Sequence, residues 1–569
     1  MLALTLLVLV GSLAFVVTPA AVGQITAAAI HGTVTDPSGA VLPDATVTAL
    51  NTSTGISTET TSNKSGYFLF PELQVGGPYS VTVSASGFEN FVATGLTLNV
   101  NDNREVLATM KVGGTAATVQ VTATALQVET SNTQLQQIIT SDQLESIPME
   151  GRDAAGLQKF EAGSVESSDR FGTYSSNGSQ TPQNDVVLDG ADNNDGPLQD
   201  EGIIVNPDAL QEENIVTSTM NPEFSRNSGA VVNEVIKSGT NSIHGEGFEY
   251  YRDTFMNNAN YFSPVDPTTG LKIRPIFHQN LYGGTLGGPI FKNKLFLFVA
   301  YQGDRNTTST TAATSTFSGT KGSGATGNFA GDFSDDPNWA DGFASNSAGL
   351  TGNPIPFAIG SCPKGTAWNV CFPGTTVVIP PSEWNSIASN LINKYVLASN
   401  SSSGLYEFNS GNTGAADQAV LRADYTPSSR DAIWASSIIQ SSPSTNDLSF
   451  GGGTFPGFGQ HAAEHFKLFN ASYTHTFSAN KLNELHGNYY RFNFPSVIPT
   501  PVQDPSLLGF QIHPQLALSG IPFMAVGNDF DLGNSYEGPQ PRLDTNLTYA
   551  DNFTWIRGNH SLKFGAVYE

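Results

Sequence analysis

Three groups of side chains in this sequence could do chemistry, and the first is a possible zinc site. His461-Ala462-Ala463-Glu464-His465 fits the H-x-x-E-H pattern of one metalloprotease class. That chemistry needs both histidines on one face of a helix. A glycine-rich stretch precedes the motif and an alternating, strand-like pattern follows it, so we expect a strand here. A secreted metalloprotease therefore stays a remote alternative.

The second group is an acidic cluster in the first half of the chain. Calcium takes six to eight oxygen ligands, and such a cluster could supply some of them. The spacing does not match the twelve-residue calcium loop, so a turn rich in Asp and Asn is the simpler interpretation. The cluster consists of Asp185, Asp189, Asp192, Asn193, Asn194 and Asp195. With no G-x-S-x-G motif and no other catalytic constellation, we expect a protein that is not an enzyme and uses no metal or cofactor.

The third group is the pair Cys362 and Cys371, the two cysteines of the chain. Two further Cys or His ligands would be needed for a structural zinc site, and the spacing offers none. In an oxidising compartment the two can pair, so we expect a disulfide.

The composition of the chain limits the classes of function that are possible for it. Asp and Glu number 50 against 25 Lys and Arg, a formal net charge of −25 that argues against nucleic-acid binding. An apolar run at Leu2–Val17, followed by small residues, predicts a signal peptide over 1–23. No later run of 18 apolar residues follows, so a membrane crossing would have to use strands.

From residue 243 onward, strand-like segments alternate with connections that are long, short, long, short. The short connections fall at Gly288–Lys294, Pro427–Arg430, Ser478–Lys481 and Arg557–His560, and the long ones at 253–278, 304–417, 442–464 and 494–544. In Phe469–Phe477 the even positions are polar and the odd positions mostly apolar. Sorted loops and strands of about 9–12 residues with one apolar face are typical of an outer-membrane barrel. A large soluble β-protein is the alternative that the strands alone leave open.

The aromatic residues of these strands are candidates for the girdles that flank a membrane barrel, with ordinary core packing as the alternative. They are Phe248, Tyr250, Phe296, Phe298, Tyr489, Tyr490, Phe553 and Trp555.

The block 28–112 combines short alternating segments with turn chemistry such as Asp36-Pro37-Ser38-Gly39. It resembles the carboxypeptidase regulatory-like domain, which implies a non-catalytic, transthyretin-like β-sandwich. The superfamily is described as carbohydrate-binding-like, but no aromatic platform here identifies a sugar site.

The block 125–242 carries two motifs, Leu188-Asp189-Gly190 and Lys237-Ser238-Gly239-Thr240-Asn241. Both resemble the plug domain of TonB-dependent receptors of the Oar-like type. His244–Gly247 then resembles entry into the first barrel strand. The resemblance implies a mainly β chain: the sandwich, an α+β plug, and an incomplete antiparallel transmembrane barrel over 243–569. We count about nine candidate strands where that family closes with 22, so we expect a truncated barrel.

Between sandwich and plug, 113–124 is expected to be a linker. Its Val119-Gln120-Val121-Thr122-Ala123 resembles a TonB box, the segment offered to the energy-transducing partner, and the sandwich's last strand or a plain linker is the alternative. The resemblance implies outer-membrane, TonB-dependent uptake of an unidentified ligand, with partners TonB-ExbB-ExbD, membrane lipid, and a siderophore, oligosaccharide, peptide or protein. An outer-membrane adhesin without transport is the main alternative.

Overall fold

The computed structural model describes most of the chain from residue 27 onward. The described residues are 27–113, 118–122, 134–152, 154–166, 174–180, 183–196, 201–218, 228–259, 261, 263, 265–266, 268–316, 363, 385–401, 405–478, 480–498, 504–511, 520–526, 530–558 and 560–569. The predicted signal peptide, both cysteines and Ala123 lie outside these ranges.

The first domain is a sandwich of two sheets whose facing strands bury alternate apolar side chains. One sheet has the order β4-β1-β7 and the other β3-β2-β5-β6-β8. The strands are β1 (Ala27–Thr35), β2 (Thr46–Asn51), β3 (Ser57–Thr61), β4 (Tyr67–Gln74), β5 (Gly76–Ser84), β6 (Asn90–Leu98), β7 (Asn103–Thr109) and β8 (Thr118–Thr122). Its core is centred on Ile30, Val47, Phe68, Val81 and Leu98.

We call the second domain the plug, after the domain that its sequence resembles. It is built on a five-stranded sheet of order β13-β12-β15-β14-β9 and a two-stranded sheet β10-β11. The strands are β9 (Leu135–Thr140), β10 (Ser164–Glu166), β11 (Tyr174–Ser176), β12 (Asp185–Leu188), β13 (Ala191–Asp192), β14 (Leu210–Ser218) and β15 (Val231–Ile236). Helix α1 spans Ser141–Ser146, and short 3-10 helices span Glu150–Arg152, Ala154–Phe160 and Pro207–Ala209.

In the described residues, the third domain is one antiparallel sheet of nine strands that pair in chain order, with the β23–β24 hairpin lying between β22 and β25 in sequence. In order they are β16 (His244–Arg252), β17 (Phe277–Phe291), β18 (Leu295–Ser315), β19 (Leu405–Ser428), β20 (Asp431–Asn446), β21 (Gln460–Ser478), β22 (Lys481–Val497), β25 (Gln540–Arg557) and β26 (His560–Tyr568). The nine predicted strands and the mainly β class are confirmed.

This sheet carries apolar residues on the side that the protein leaves uncovered, in addition to those, such as Phe298 and Phe466, that are buried on the other side. Along β21, the polar Asn470 and Ser472 are buried, whereas Phe469, Ala471 and Tyr473 are exposed. A sheet in water would show the opposite pattern. Exposed apolar and buried polar side chains on one strand are what a wall between lipid and a protein-filled interior requires.

The strands are longer than predicted, because pairing continues into segments that the sequence suggested were loops. Strand β19 has 24 residues and β18 has 21, and they stay in register from Leu295–Tyr425 to Ser315–Leu405. At about 3.4 Å per residue, β19 is about 80 Å long, more than a tilted strand needs to cross a bilayer. The polar, threonine-rich ends still form ladder hydrogen bonds, since a backbone pairs whatever side chain it carries.

Parts of three long connections pack together beyond the far ends of the strands. They comprise helix α2 (Ser386–Tyr395), the 3-10 helix Pro505–Leu508 and the hairpin of β23 (Met524–Val526) and β24 (Phe530–Leu532). A separate 3-10 turn spans Thr254–Met256. Tyr395, Phe455, Phe458 and Phe530 share a buried core there. The outer connections therefore have an apolar core of their own.

In the parts of the chain that the structure describes, none of the helices is long and apolar enough to span a membrane.

Candidate functional site at the junction of three domains

The plug lies against the inner face of the nine-stranded sheet. One core joins plug residues such as Leu188, Val232 and Ile236 to Phe298 and Phe466 of the sheet. Phe296, Phe298 and Tyr490 are all essentially buried, so the prediction that they belong to an interfacial girdle was wrong. Because Leu295–Val299 is apolar at every position, the sequence does not show which of its alternating side chains face inward. The inward face is decided by the plug, which covers one side of the sheet.

The Leu188-Asp189-Gly190 motif forms the tight turn between β12 and β13. Leu188 pairs with Ala191, and the two residues between them have φ of 48° and 78°. Two consecutive positive φ values make a type I′ hairpin, for which Asp-Gly is a preferred sequence. The motif is therefore explained locally by its turn, and the turn leaves the Asp189 carboxylate pointing at the sheet.

Asp189 is fully buried and meets a guanidinium from the sheet. Its Oδ1 accepts a hydrogen bond from the backbone N–H of Ile236 at 3.1 Å and from Arg422 Nη1 at 3.0 Å. Arg422 Nη1 also donates to the Ile236 carbonyl at 3.1 Å. Burial raises the pKa of Asp189, and the adjacent Arg422 opposes that rise. Through these contacts Arg422 joins the β12–β13 turn and the end of β15 to strand β19.

Arg422 and Asp424 share the inner face of β19, because they are two residues apart on a strand. Arg422 Nε and Nη2 donate to the Asp424 carboxylate at 3.2 to 3.3 Å, and its Cζ lies 5.0 Å from the centre of the Trp434 ring. Only 4% of Arg422 is exposed. The guanidinium is thus held by two carboxylates and one aromatic face, which satisfies a charge that would otherwise be costly to bury.

The second plug motif, Lys237–Asn241, runs past the same pair. Ser238 Oγ donates to Asp424 Oδ2 at 2.6 Å, and Lys237 Nζ lies 2.5 Å from Glu145 of α1. A Cβ at Gly239 would lie 2.5 Å from the carbonyl oxygen of Leu297, so glycine is needed where the chain crosses the sheet.

The sandwich completes this junction. Gln74 Nε2 donates to Asp424 Oδ1 at 3.2 Å, so Asp424 accepts from the sandwich, the plug and its own strand. Asn241 Nδ2 donates to the Thr54 carbonyl at 2.7 Å, while Asn241 Oδ1 accepts from the backbone N–H of Asn293 at 2.9 Å. We call Asp189, Arg422, Asp424, Ser238 and Gln74 the three-domain latch.

Sequence reasoning found the plug half of the latch and missed its partners. Arg422, Asp424 and Gln74 belong to no short motif. The signal available was charge at alternate positions of a membrane strand, Arg422 and Asp424, since charges inside a membrane barrel face the interior.

A second set of contacts fixes the plug further along the sheet. Arg542 forms an ion pair with Asp195 and lies over the Phe492 ring at 4.6 Å. Gln418 donates to the Ile204 carbonyl at 2.8 Å and accepts from the Asn206 N–H at 2.8 Å. The plug is therefore held to the sheet by polar contacts at both ends.

The side chains of the acidic cluster form hydrogen bonds with one another and ion pairs with the sheet. Asn194 donates to Asp185 at 2.9 Å and to Asp192 at 2.6 Å, and Asp189 and Asp195 each pair with an arginine of the sheet. Within the described ranges, no group of three or more His, Cys, Asp or Glu side chains is arranged to hold a metal.

The H-x-x-E-H segment lies in β21, a strand, as expected. His461 and His465 therefore share one face and Glu464 the other. Their ring Nδ1 atoms lie 3.0 Å from Thr445 Oγ1 and Ser441 Oγ of the neighbouring strand. This arrangement lacks the helix on which the zinc-protease alternative depended.

The TonB-box candidate lies at an edge of the sandwich. Thr118–Thr122 forms β8 and pairs in parallel with Asn90–Thr94 of β6. In the described sheet, β8 is the last strand, so 118–122 belong to the sandwich and not to the expected linker. Val119–Thr122 follow the extended course that strand addition needs.

Comparisons with known proteins agree with these domains. A model of the outer membrane beta barrel domain matches residues 235–569, and one of the carboxypeptidase regulatory-like domain matches 29–111. The TonB-dependent transporter Oar of Myxococcus xanthus is 32% identical over 133 residues, which are 23% of this chain and 12% of that protein.

Solved structures with partial similarity to this chain include a transporter and a receptor. The outer membrane transporter YddB from Escherichia coli has a TM-score of 0.44 at 12% identity, over 76% of this chain and 47% of that one. A mutant ferric enterobactin receptor, PfeA, from Pseudomonas aeruginosa has a TM-score of 0.40 at 10% identity, over 76% and 48%. The chain thus spans about half the length of these structures and a small part of Oar.

Proposed function

Since this chain belongs to the outer membrane beta barrel domain family and lies in the outer membrane, we propose that it serves TonB-dependent uptake of an external ligand. The observation that carries the proposal is the three-domain latch. Through Asp189 and Ser238 it joins both plug motifs to the neighbouring Arg422 and Asp424 of one barrel strand, so the plug is held against the sheet by polar contacts.

Uptake through a plugged barrel requires the plug to have two arrangements whose balance a partner can shift. In the arrangement seen here, Arg422 is satisfied by Asp189 and Asp424. A pull on the chain preceding the plug would act against these contacts. No covalent step is needed, and the proposal assigns no residue a catalytic role.

The partner is proposed to be TonB, with ExbB and ExbD, acting on Val119–Ala123. The support is the extended course of β8 at the edge of its sheet. The ligand stays open among a siderophore, an oligosaccharide, a peptide and a protein. The outer connections that would meet it share the buried aromatic core around Phe455 and Phe458.

The test is a pull-down of the whole protein with the periplasmic domain of TonB. Val121→Pro removes a backbone N–H from the candidate segment and is expected to reduce capture at least about tenfold. Val112→Pro, at an exposed position upstream of the segment, is the matched control and is expected to bind normally.

Equal capture of both variants would move the contact elsewhere in the chain. No capture of the unmodified protein would contradict TonB dependence and favour the adhesin alternative.

A further inference from the structure

The sandwich lies across the end of the sheet where the short turns meet. Asn63 Nδ2 donates to the Gly558 carbonyl in the turn between β25 and β26, at 3.1 Å. On the other side, Ser53 and Thr54 accept hydrogen bonds from Asn241 at 2.9 and 2.7 Å. A Cβ at Gly55 would overlap the Asn293 side chain of the first short turn. The sandwich therefore contacts turns far apart along the sheet.

A cleft between these contacts is lined by the sandwich on one side and by two more short turns on the other. Its lining includes Glu59, Phe70 and Glu72 of the sandwich, and Ser428–Asp431, Ser478, Asn480 and Lys481 of the turns. The sandwich thus bridges the turns with a partly open space beneath it.

The sandwich also grips the plug directly. Val75 and Val100 of the sandwich form a buried cluster with Val235 of β15. The Val100 backbone is held on both sides, because its N–H donates to Glu212 and its carbonyl accepts from Asn214 Nδ2 at 2.8 Å. Glu212 and Asn214 belong to β14 and are almost fully buried.

These contacts place the plug sheet between the sandwich and the barrel sheet. Along β15, Ile236 packs into the core shared with the barrel sheet, whereas the neighbouring Val235 packs on the sandwich. Adjacent residues of a strand point to opposite faces. Leaving the sheet on the short-turn side would therefore require the plug to break its contacts with the sandwich.

We propose that the sandwich is an intramolecular lid that holds the plug in its closed arrangement and must undock before the plug can leave the sheet. The inference goes beyond the proposed function and depends on no partner or ligand. It predicts that motion of the plug is governed by contacts of the first domain, which in sequence precedes it.

The experiment links the lid to the sheet covalently and follows the plug. Asn63→Cys and Gly558→Cys are introduced together with Cys362→Ser and Cys371→Ser, and the two new thiols are joined by a short bismaleimide. The same protein capped with N-ethylmaleimide is the matched control, since it differs only in the missing link. Hydrogen–deuterium exchange is measured for 183–190 and 231–236 in the full chain.

We expect exchange in both plug segments to be roughly tenfold slower, or more, in the linked protein than in the capped one. Asn241→Ala, which removes the contacts with Thr54 and Asn293, is expected to speed exchange in the same segments.

Equal plug exchange in linked and capped protein would overturn the proposal. If Asn241→Ala also speeds exchange in Val81–Val83 of the sandwich core, that variant has damaged the domain, and the linked and capped pair alone decides. Failure here leaves the TonB pull-down unaffected, so the two proposals are tested separately.

Discussion

Arg422 is the buried positive charge of the three-domain latch. It is buried between Asp189 and Asp424 and lies against Trp434. Removing one partner of such a group leaves the others charged and without compensation, which costs more than the pair itself contributes. The energetic role of each partner is therefore best measured by combined substitutions.

Arg422→Met is expected to destabilise the docked plug by about 3–5 kcal/mol, because it strands the buried Asp189 carboxylate. Adding Asp189→Asn to Arg422→Met should recover part of this loss. Urea unfolding of the single and double variants measures both free energies. A double variant less stable than Arg422→Met would show that the two side chains do not act as a pair.

Gly239 is required by space, since its Cα passes close to the backbone of β18. We expect Gly239→Ala to destabilise the protein by about 1–3 kcal/mol, because the added Cβ overlaps the Leu297 carbonyl oxygen. Gly487→Ala is the control, since nothing lies within 4 Å of its added Cβ. Thermal unfolding compares the two, and equal shifts would mean that the main chain yields at Gly239 without cost.

Strand β21 carries two exposed phenylalanines at different positions along its length. On β21, Phe469 and Phe477 are both about half exposed, at 43% and 54%. Phe469 lies at the middle of β21 and Phe477 beside the short turn. Their identical chemistry at different depths makes them a direct probe of the membrane.

Phe469→Arg is expected to oppose insertion by about 2–4 kcal/mol, whereas Phe477→Arg should cost about 0–1 kcal/mol, since the penalty falls toward the interface. Folding into lipid vesicles, followed by the heat-modifiable shift on gels, measures the inserted fraction. Equal losses for both variants would contradict a bilayer centred on Phe469.

The contact between sandwich and plug is expected to depend on pH through Glu212. Burial is the main cause that raises the pKa of this carboxyl to about 8, against an ordinary value of 4.5, and nearby Asp102 adds to the rise. The folded protein then keeps a proton that the unfolded chain releases. The stability this group contributes is fully present below about pH 4.5 and is lost as pH rises through about 8.

We therefore expect the wild-type protein to lose on the order of 2–4 kcal/mol of stability between pH 5 and 9 relative to Glu212→Gln. Glutamine keeps an acceptor for the Val100 N–H and has no charge to bury. Urea unfolding at both pH values gives the difference. A parallel pH dependence in the two proteins would remove Glu212 as its source.

For the molecule as a whole, local patterns predicted the parts better than their assembly. The loop rhythm predicted nine strands, and Asp189-Gly190 predicted a turn, because both depend on residues close in sequence. The lengths of β18 and β19 were underestimated, since polar residues pair in a ladder as readily as apolar ones. The orientation of Phe296 and Phe298 and the partners of Asp189 depend on which domain covers the sheet, which no local pattern contains.

The TonB-box candidate illustrates the same limit. The alternation of Val119 and Val121 is equally suited to a free extended segment and to a strand of the sandwich. The structure places Thr118–Thr122 beside β6, and only a binding experiment separates its two uses.

The extended pairing of β18 and β19 also sets a distance. With 21 paired residues at about 3.4 Å each and a tilt near 40°, this hairpin reaches roughly 20–30 Å past the lipid surface. It acts as a stiff spacer that holds the outer connections at this distance from the lipid surface. A bulky particle, such as a phage tail or an antibody, would then touch these connections first and the bilayer only afterwards.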